Sequence, residues 1–390
     1  MDNIQLLIKK IAEEGQSHPS APFLAEVEIF NAYFSPDGQM DISKLDSRDG
    51  SNLSRRELLS RFLLLNAVID QGPDIIGVRK LLISVSNELY HAEVRFLHKP
   101  LAFFQEIGIS IDQILAQHQA IKKIRAKVWA KENRSTPNRY NLFMDNSSQV
   151  LNYAIFRWGV PLALPLLLEK DNTNNKSYSP LLDYLEKFPS AERMTFYLKS
   201  HPRYGLGKAI GDKACHLFAK WLVSSFKLIR RTEASWGEYS FEVPYDSNAG
   251  RVLWRTGYLL HWASEGEYEK RDVIQRRRGK GGLDYLRVTN IRGMATQRSL
   301  PPDMQDVYGE IAVQHLATHK KRPRKFEIQR LQHLYLMLNG QTVADFDDGL
   351  IYIGTNYCFN HDQPQCQSCP LKGVCLAYLS APELIQKYRT

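Results

Sequence analysis

A chain of 390 residues is long enough for one large or two medium domains with full cores, so it needs no disulfide to hold it together. With 51 basic against 42 acidic residues and a formal charge of +9, it favours a polyanionic partner, although solvated basic loops alone can give the same balance. The longest apolar stretch, "WGVPLALPLLLEK", carries two prolines and is too short to cross a bilayer.

The chain opens with "MDNIQLLIKKIAEEG", whose apolar spacing suits an amphipathic helix and which lacks the basic start and apolar run of a secretory signal. A cytosolic chain in a reducing compartment is expected, with thiols free for metals. Apolar residues then recur at three- and four-residue intervals in "SRRELLSRFLLLNAVI", "GVRKLLISVSNELYHAEVRFL", "SIDQILAQHQAIKKIRAKVWAKE", "SPLLDYLEKF" and "GDKACHLFAKWLVSSFKLIRR", the period of helices packed on one face. Turn formers and polar residues break the pattern at 34–52, 131–141, 169–180 and 279–302. Period-two alternation is scarce, so the expected class is all-α with long surface connections.

Basic residues are clumped in "KRDVIQRRRGKGG", which contains Arg276, Arg277 and Arg278, and in "HKKRPRK". Such clumps fit a phosphate backbone; an ordinary solvated loop is the plainer reading.

Four of the five cysteines lie between Cys358 and Cys375, in "CFNHDQPQCQSCPLKGVC". Cys358, Cys366, Cys369 and Cys375 are spaced C-x7-C-x2-C-x5-C. A zinc ribbon usually presents two close pairs across a long loop, and the ferredoxin run has shorter gaps. Four thiolates on one coil bent by Pro364 and Pro370 suit a [4Fe–4S] cluster, with zinc as the other metal to weigh.

This spacing resembles the C-x6-C-x2-C-x5-C loop that closes the chain in the endonuclease III family of DNA glycosylases, with one residue more in the first gap. Two further segments are similar to that family. "AIGDKAC", 209–215, resembles its helix-hairpin-helix pattern G-V-G-x-K-x-A, with Ala209 for the first glycine. "DSNAGRVLWRTG", 246–257, matches the pattern V-D-T-H-x-x-R-V-x-x-R-T-G at Asp246, Arg251, Val252, Arg255, Thr256 and Gly257. The order hairpin, aspartate, cysteine loop is the family order. "LLLNAVIDQGPDIIGVRKLL" is similar to an early family segment, with Gln71 and Asp74 as the equivalents. The gap from Lys213 to Asp246 is longer than in endonuclease III and closer to that of archaeal 8-oxoguanine glycosylases.

The resemblance implies a two-lobed helix-hairpin-helix glycosylase fold: a segment 1–55 packing on the cluster lobe, a six-helix-barrel-like lobe at 56–240, and a cluster lobe at 241–390. It also implies a monomer, cytoplasmic and nucleoid-associated, that acts on double-stranded DNA as a glycosylase, with AP lyase activity if an amine attacks the sugar. The alternatives are a glycosylase without lyase activity and a non-enzymatic iron–sulfur DNA-binding protein.

Breaking a C1′–N bond develops oxocarbenium charge that a carboxylate can stabilise, and an amine can trap the sugar covalently. Lys213 is the implied nucleophile, at a helix start whose dipole disfavours an ammonium. Asp246 is the implied carboxylate and also the expected N-cap of the next helix. Gly205, Gly207 and Gly211 would bring backbone N–H groups to a phosphate, with Lys208 and Arg251 as further DNA contacts and Gln71 filling the gap left by a flipped base. The plainer readings are a surface lysine, a simple cap and a glycine turn; His216 and Cys215 read as core.

Overall fold

The computed structural model describes residues 3–21, 24–35, 40–48, 51–69, 75–106, 110, 112, 161–162, 164–165, 168, 177–201, 213–258, 295–320, 323–359 and 364–387. Helix dominates them. Beyond two single bridges, Phe34 with Met40 and Arg48 with Ser54, no strand occurs among the described residues.

The chain divides into two units. The first comprises Met1–Ser20, Pro189–Arg193 and Arg231–Thr390; the second comprises Ala21–Phe188 and Met194–Arg230. Residues 21–55, grouped in the sequence reading with the N-terminal helix, therefore fold with the second unit, and the later boundary falls after Arg230 rather than at 240.

In the first unit, α1 (Asn3–Ser17) buries Ile4, Leu7, Ile8, Ile11, Ala12 and Gly15, one face at helical spacing. Much further along come α8 (Ser247–Arg255), α9 (Pro302–His319), α10 (Pro323–Leu338), α11 (Val343–Asn356), and the short α12 (Leu376–Leu379) and α13 (Glu383–Lys387). α1 lies along α11, and α11 also packs against α8. The approach of α1 to α11 requires glycine on both sides. A Cβ on Gly349 would sit 1.7 Å from the Ile11 carbonyl oxygen, and one on Gly15 would sit 1.8 Å from that of Asp345. The start of α11 carries a reciprocal cap: the Thr342 side chain accepts from Asp345 N at 3.1 Å, and the Asp345 carboxylate accepts from Thr342 N at 2.8 Å.

In the second unit, α2 (Arg55–Ile69) is enclosed, with every residue from Arg56 to Val68 buried. It packs against α3 (Ile75–His91), α5 (Pro180–Leu185) and α7 (Lys213–Lys220); α4 (Pro100–Glu106) also belongs here, whereas α6 (Ala191–Ser200) starts in the first unit and passes into the second at Met194. An enclosed helix must satisfy its charges internally. Glu57 pairs with Arg61 at 2.8 Å and accepts the Leu181 and Leu182 backbone N–H groups, which lie at the open start of α5. Arg61 in turn donates to the Leu97 carbonyl at 2.8 Å.

Two helices end earlier than their periodicity implies. α3 stops at His91, where Glu93 takes the left-handed conformation (φ 60) and Val94 N donates back to the Leu89 carbonyl. α7 passes into a π-turn over Trp221–Ser225, and Lys227 is left-handed (φ 48), so the helix does not reach Arg231. The helix read at 110–132 lies almost wholly outside the described residues.

Candidate functional site

α8 begins where the sequence requires. Asp246 is extended (φ −127, ψ −167), and its Oδ1 accepts from Asn248 N at 2.8 Å and Ala249 N at 3.0 Å. The two N–H groups fix the half-buried carboxylate in one orientation. Ala249, Val252, Leu253 and Trp254 then bury the inner face of the helix.

At its other end α8 runs into a cavity. Val252, Arg255 and Thr256 line it together with Cys358, Cys366, Cys369 and Cys375. Arg255 is 2 % exposed. Its Nη1 donates to the Phe359 carbonyl at 2.7 Å and to Cys358 Sγ at 3.4 Å, and its Nη2 donates to the Ile385 carbonyl at 3.1 Å. Gly257 closes α8 with φ +78, and a Cβ there would meet the Leu376 side chain at 2.9 Å. Leu376, the residue after the last cysteine, donates its N–H to the Thr256 carbonyl at 3.3 Å. The segment "RTG" is thus the seat on which the cysteine loop closes.

Arg251 takes a different place from the one expected. It is 3 % exposed, and its guanidinium donates to the Gly354 carbonyl and Asn248 Oδ1, both at 2.8 Å, and to the Cys358 carbonyl. It braces the cysteine segment against α8 and α11 instead of meeting a phosphate.

No family model, curated protein or solved structure matches the chain.

None of the five cysteines is in a disulfide. Burial pushes Cys369 up to about 12 and Cys375 up to about 11, and raises Cys366, with the neighbouring cysteines adding to each. Backbone N–H groups work the other way, Leu371 on Cys369 and Tyr378 on Cys375, and Arg255 does so on Cys366. Such thiols become thiolates when a metal supplies the positive charge. Among the described residues, the group of three donor atoms within 4.8 Å of one another is formed by Glu192, Glu242 and His319, and no three of these sulfurs make another. Four thiols lining one cavity, with backbone N–H groups acting on two of the sulfurs, are a donor set that could hold either an iron–sulfur cluster or a zinc ion.

In the second unit, Lys213 is the first residue of α7 and half-buried; Cys215 and His216, read as core, are 1 % and 6 % exposed. Gln71, Gly205, Gly207, Lys208, Gly211, Arg276, Arg277 and Arg278 lie outside the described residues. No helix among the described residues is long and apolar enough to cross a membrane.

Proposed function

We propose that the chain is a DNA N-glycosylase with AP lyase activity, of the two-lobed helix-hairpin-helix kind, holding a [4Fe–4S] cluster on Cys358, Cys366, Cys369 and Cys375. The observation that carries the reading is the continuity of α8: Asp246 caps one end, and the other end lines the thiol cavity. The two motifs that suggest the family are joined by one rigid element, with Arg255 reaching the sulfur of Cys358.

In this reading double-stranded DNA is held at its phosphates by the N–H groups around Gly205, Gly207 and Gly211 and by Lys208, and Gln71 fills the space of the extruded nucleotide. The oriented Asp246 carboxylate stabilises the positive charge that grows on the sugar as the C1′–N bond breaks. The bond's electron pair leaves with the base, which takes up a proton. The neutral Lys213 amine supplies the pair for a new bond to C1′. One of its protons passes to O4′ as the ring opens, and an iminium remains. The cluster, when bound, acts as a structural and electrostatic centre, not a redox reagent.

The test is to incubate the purified chain with duplexes that each bear one altered base, and then to reduce with borohydride. A covalent adduct is expected with one of them. Lys213→Gln should abolish the adduct with binding retained, and Lys208→Gln should bind more weakly and still trap. Asp246→Asn keeps a capping oxygen and should slow base release about a hundredfold or more. Base release without an adduct would remove the lyase step. Binding with no base lost from any duplex would overturn the reading.

A further inference from the structure

A second cluster of metal-type side chains lies in the first unit, built from residues other than the cysteines. Glu192 comes from the Pro189–Arg193 segment, Glu242 from the extended stretch before α8, and His319 from the end of α9. They are 1 %, 3 % and 8 % exposed. His319 Nε2 lies 2.5 Å from Glu192 Oε1 and 2.7 Å from Glu242 Oε1.

That convergence is unusual for an ion pair alone. An imidazole Nε2 carries at most one proton, and one N–H can point well at only one acceptor. Here two carboxylate oxygens crowd the same nitrogen, and all three donor atoms lie within 4.8 Å of one another. Two buried carboxylates facing one imidazole nitrogen concentrate negative charge and lone pairs at a single point, where a cation would meet all three donors.

Two further buried histidines lie near the cluster. One turn back on α9, His315 is 2 % exposed, and burial keeps it neutral, with His333 and His319 adding to the effect. Its Nδ1 faces Gln329 Nε2 at 3.2 Å, and the Ser240 backbone also acts on the ring. The His333 ring lies 5.1 Å from that of His315, and its Nε2 contacts the carbonyl of Phe241, the residue before Glu242, at 3.2 Å. Burial holds His333 down to about 4, so both imidazoles keep a lone pair, the form that binds metal.

We propose that Glu192, Glu242 and His319 bind one divalent first-row metal ion of the zinc, cobalt or manganese class, displacing the shared proton and tying three distant segments of the first unit together. Two carboxylates and an imidazole form a nitrogen–oxygen donor set that these ions accept, and it differs in kind from the sulfur set of the cysteine cavity. The inference holds whether or not the glycosylase reading does.

Cobalt(II) separates the two sites, because thiolate ligands give intense sulfur-to-metal charge-transfer bands and a nitrogen–oxygen set gives only weak d–d bands. Titrated into the full chain, cobalt is expected to produce weak d–d bands saturating near one equivalent, retained in Cys369→Ser. Zinc should compete them away and raise the thermal midpoint. Glu242→Gln and His319→Gln should weaken binding by more than about a hundredfold, above the 10–100-fold loss usual for outer-shell partners. If either variant fails to fold by circular dichroism, Glu192→Gln serves in its place. Wild-type protein that binds no cobalt without charge-transfer bands, or folded variants that bind as wild type does, would overturn the proposal.

Discussion

Arg255 directs a buried guanidinium at two backbone carbonyls and a sulfur, on segments 104 and 130 residues away. Lysine in its place offers a point charge without the planar fork and cannot reach all three acceptors at once. Arg255→Lys should therefore lose about 2 kcal/mol of stability, the usual cost of leaving buried acceptors unmet. The loss is read as a lower urea midpoint with an unchanged slope. A variant as stable as wild type would mean that the Phe359 and Ile385 carbonyls find water. Asp246 and Arg255 show which site residues could be read from sequence. An aspartate before a helical stretch announces a cap through groups two and three residues away, whereas the tie from Arg255 to Cys358 spans 103 positions and depends on how α8 meets the loop. Glu192 and Glu242 left no local signal, because each stands alone in its own segment; His319 follows His315 by one helical turn, a spacing visible in the letters, but that spacing does not name the two distant carboxylates.

At the scale of elements, the helix pair α1 and α11 rests on two glycines whose missing side chains admit the opposing backbone. Gly349→Ala puts a methyl where the Ile11 carbonyl oxygen stands, at 1.7 Å, and backbone cannot turn aside as a flexible side chain can. The substitution should destabilise the first unit by about 3 kcal/mol, well beyond the small gain in helix propensity. Thermal unfolding measures it, and a neutral result would show that the helices separate at little cost. The amphipathic face of α1 and the body of α2 were legible from period alone. α11 was not picked out by period, although "TVAD" at 342–345 is a reciprocal cap visible in the letters. The ends of α3 and α7 were hidden because they depend on left-handed Glu93 and Lys227, residue types with no strong preference for that conformation.

For the whole molecule, the proposed function makes a prediction from the excess of basic residues: DNA would be held largely through displaced counterions. Affinity should fall by an order of magnitude or more between low and physiological salt, and neutralising Arg276, Arg277 and Arg278 together should flatten the slope of log affinity against log salt. An unchanged slope would mean that those arginines do not meet phosphate.

The division into units also sets an order of events on the ribosome. The second unit uses chain that is continuous from Ala21 to Arg230 apart from Pro189–Arg193, so its helices have their partners soon after they emerge. α1 does not: Gln16 meets Asp345 across 329 residues, a wait on the order of half a minute at ordinary elongation rates. During it the apolar face of Ile4, Leu7, Ile8 and Ile11 has no native cover. Nascent chains stalled before Val343 should therefore be cut by protease within α1 while α2 stays protected, and stalling after Asn356 has cleared the exit tunnel should protect both.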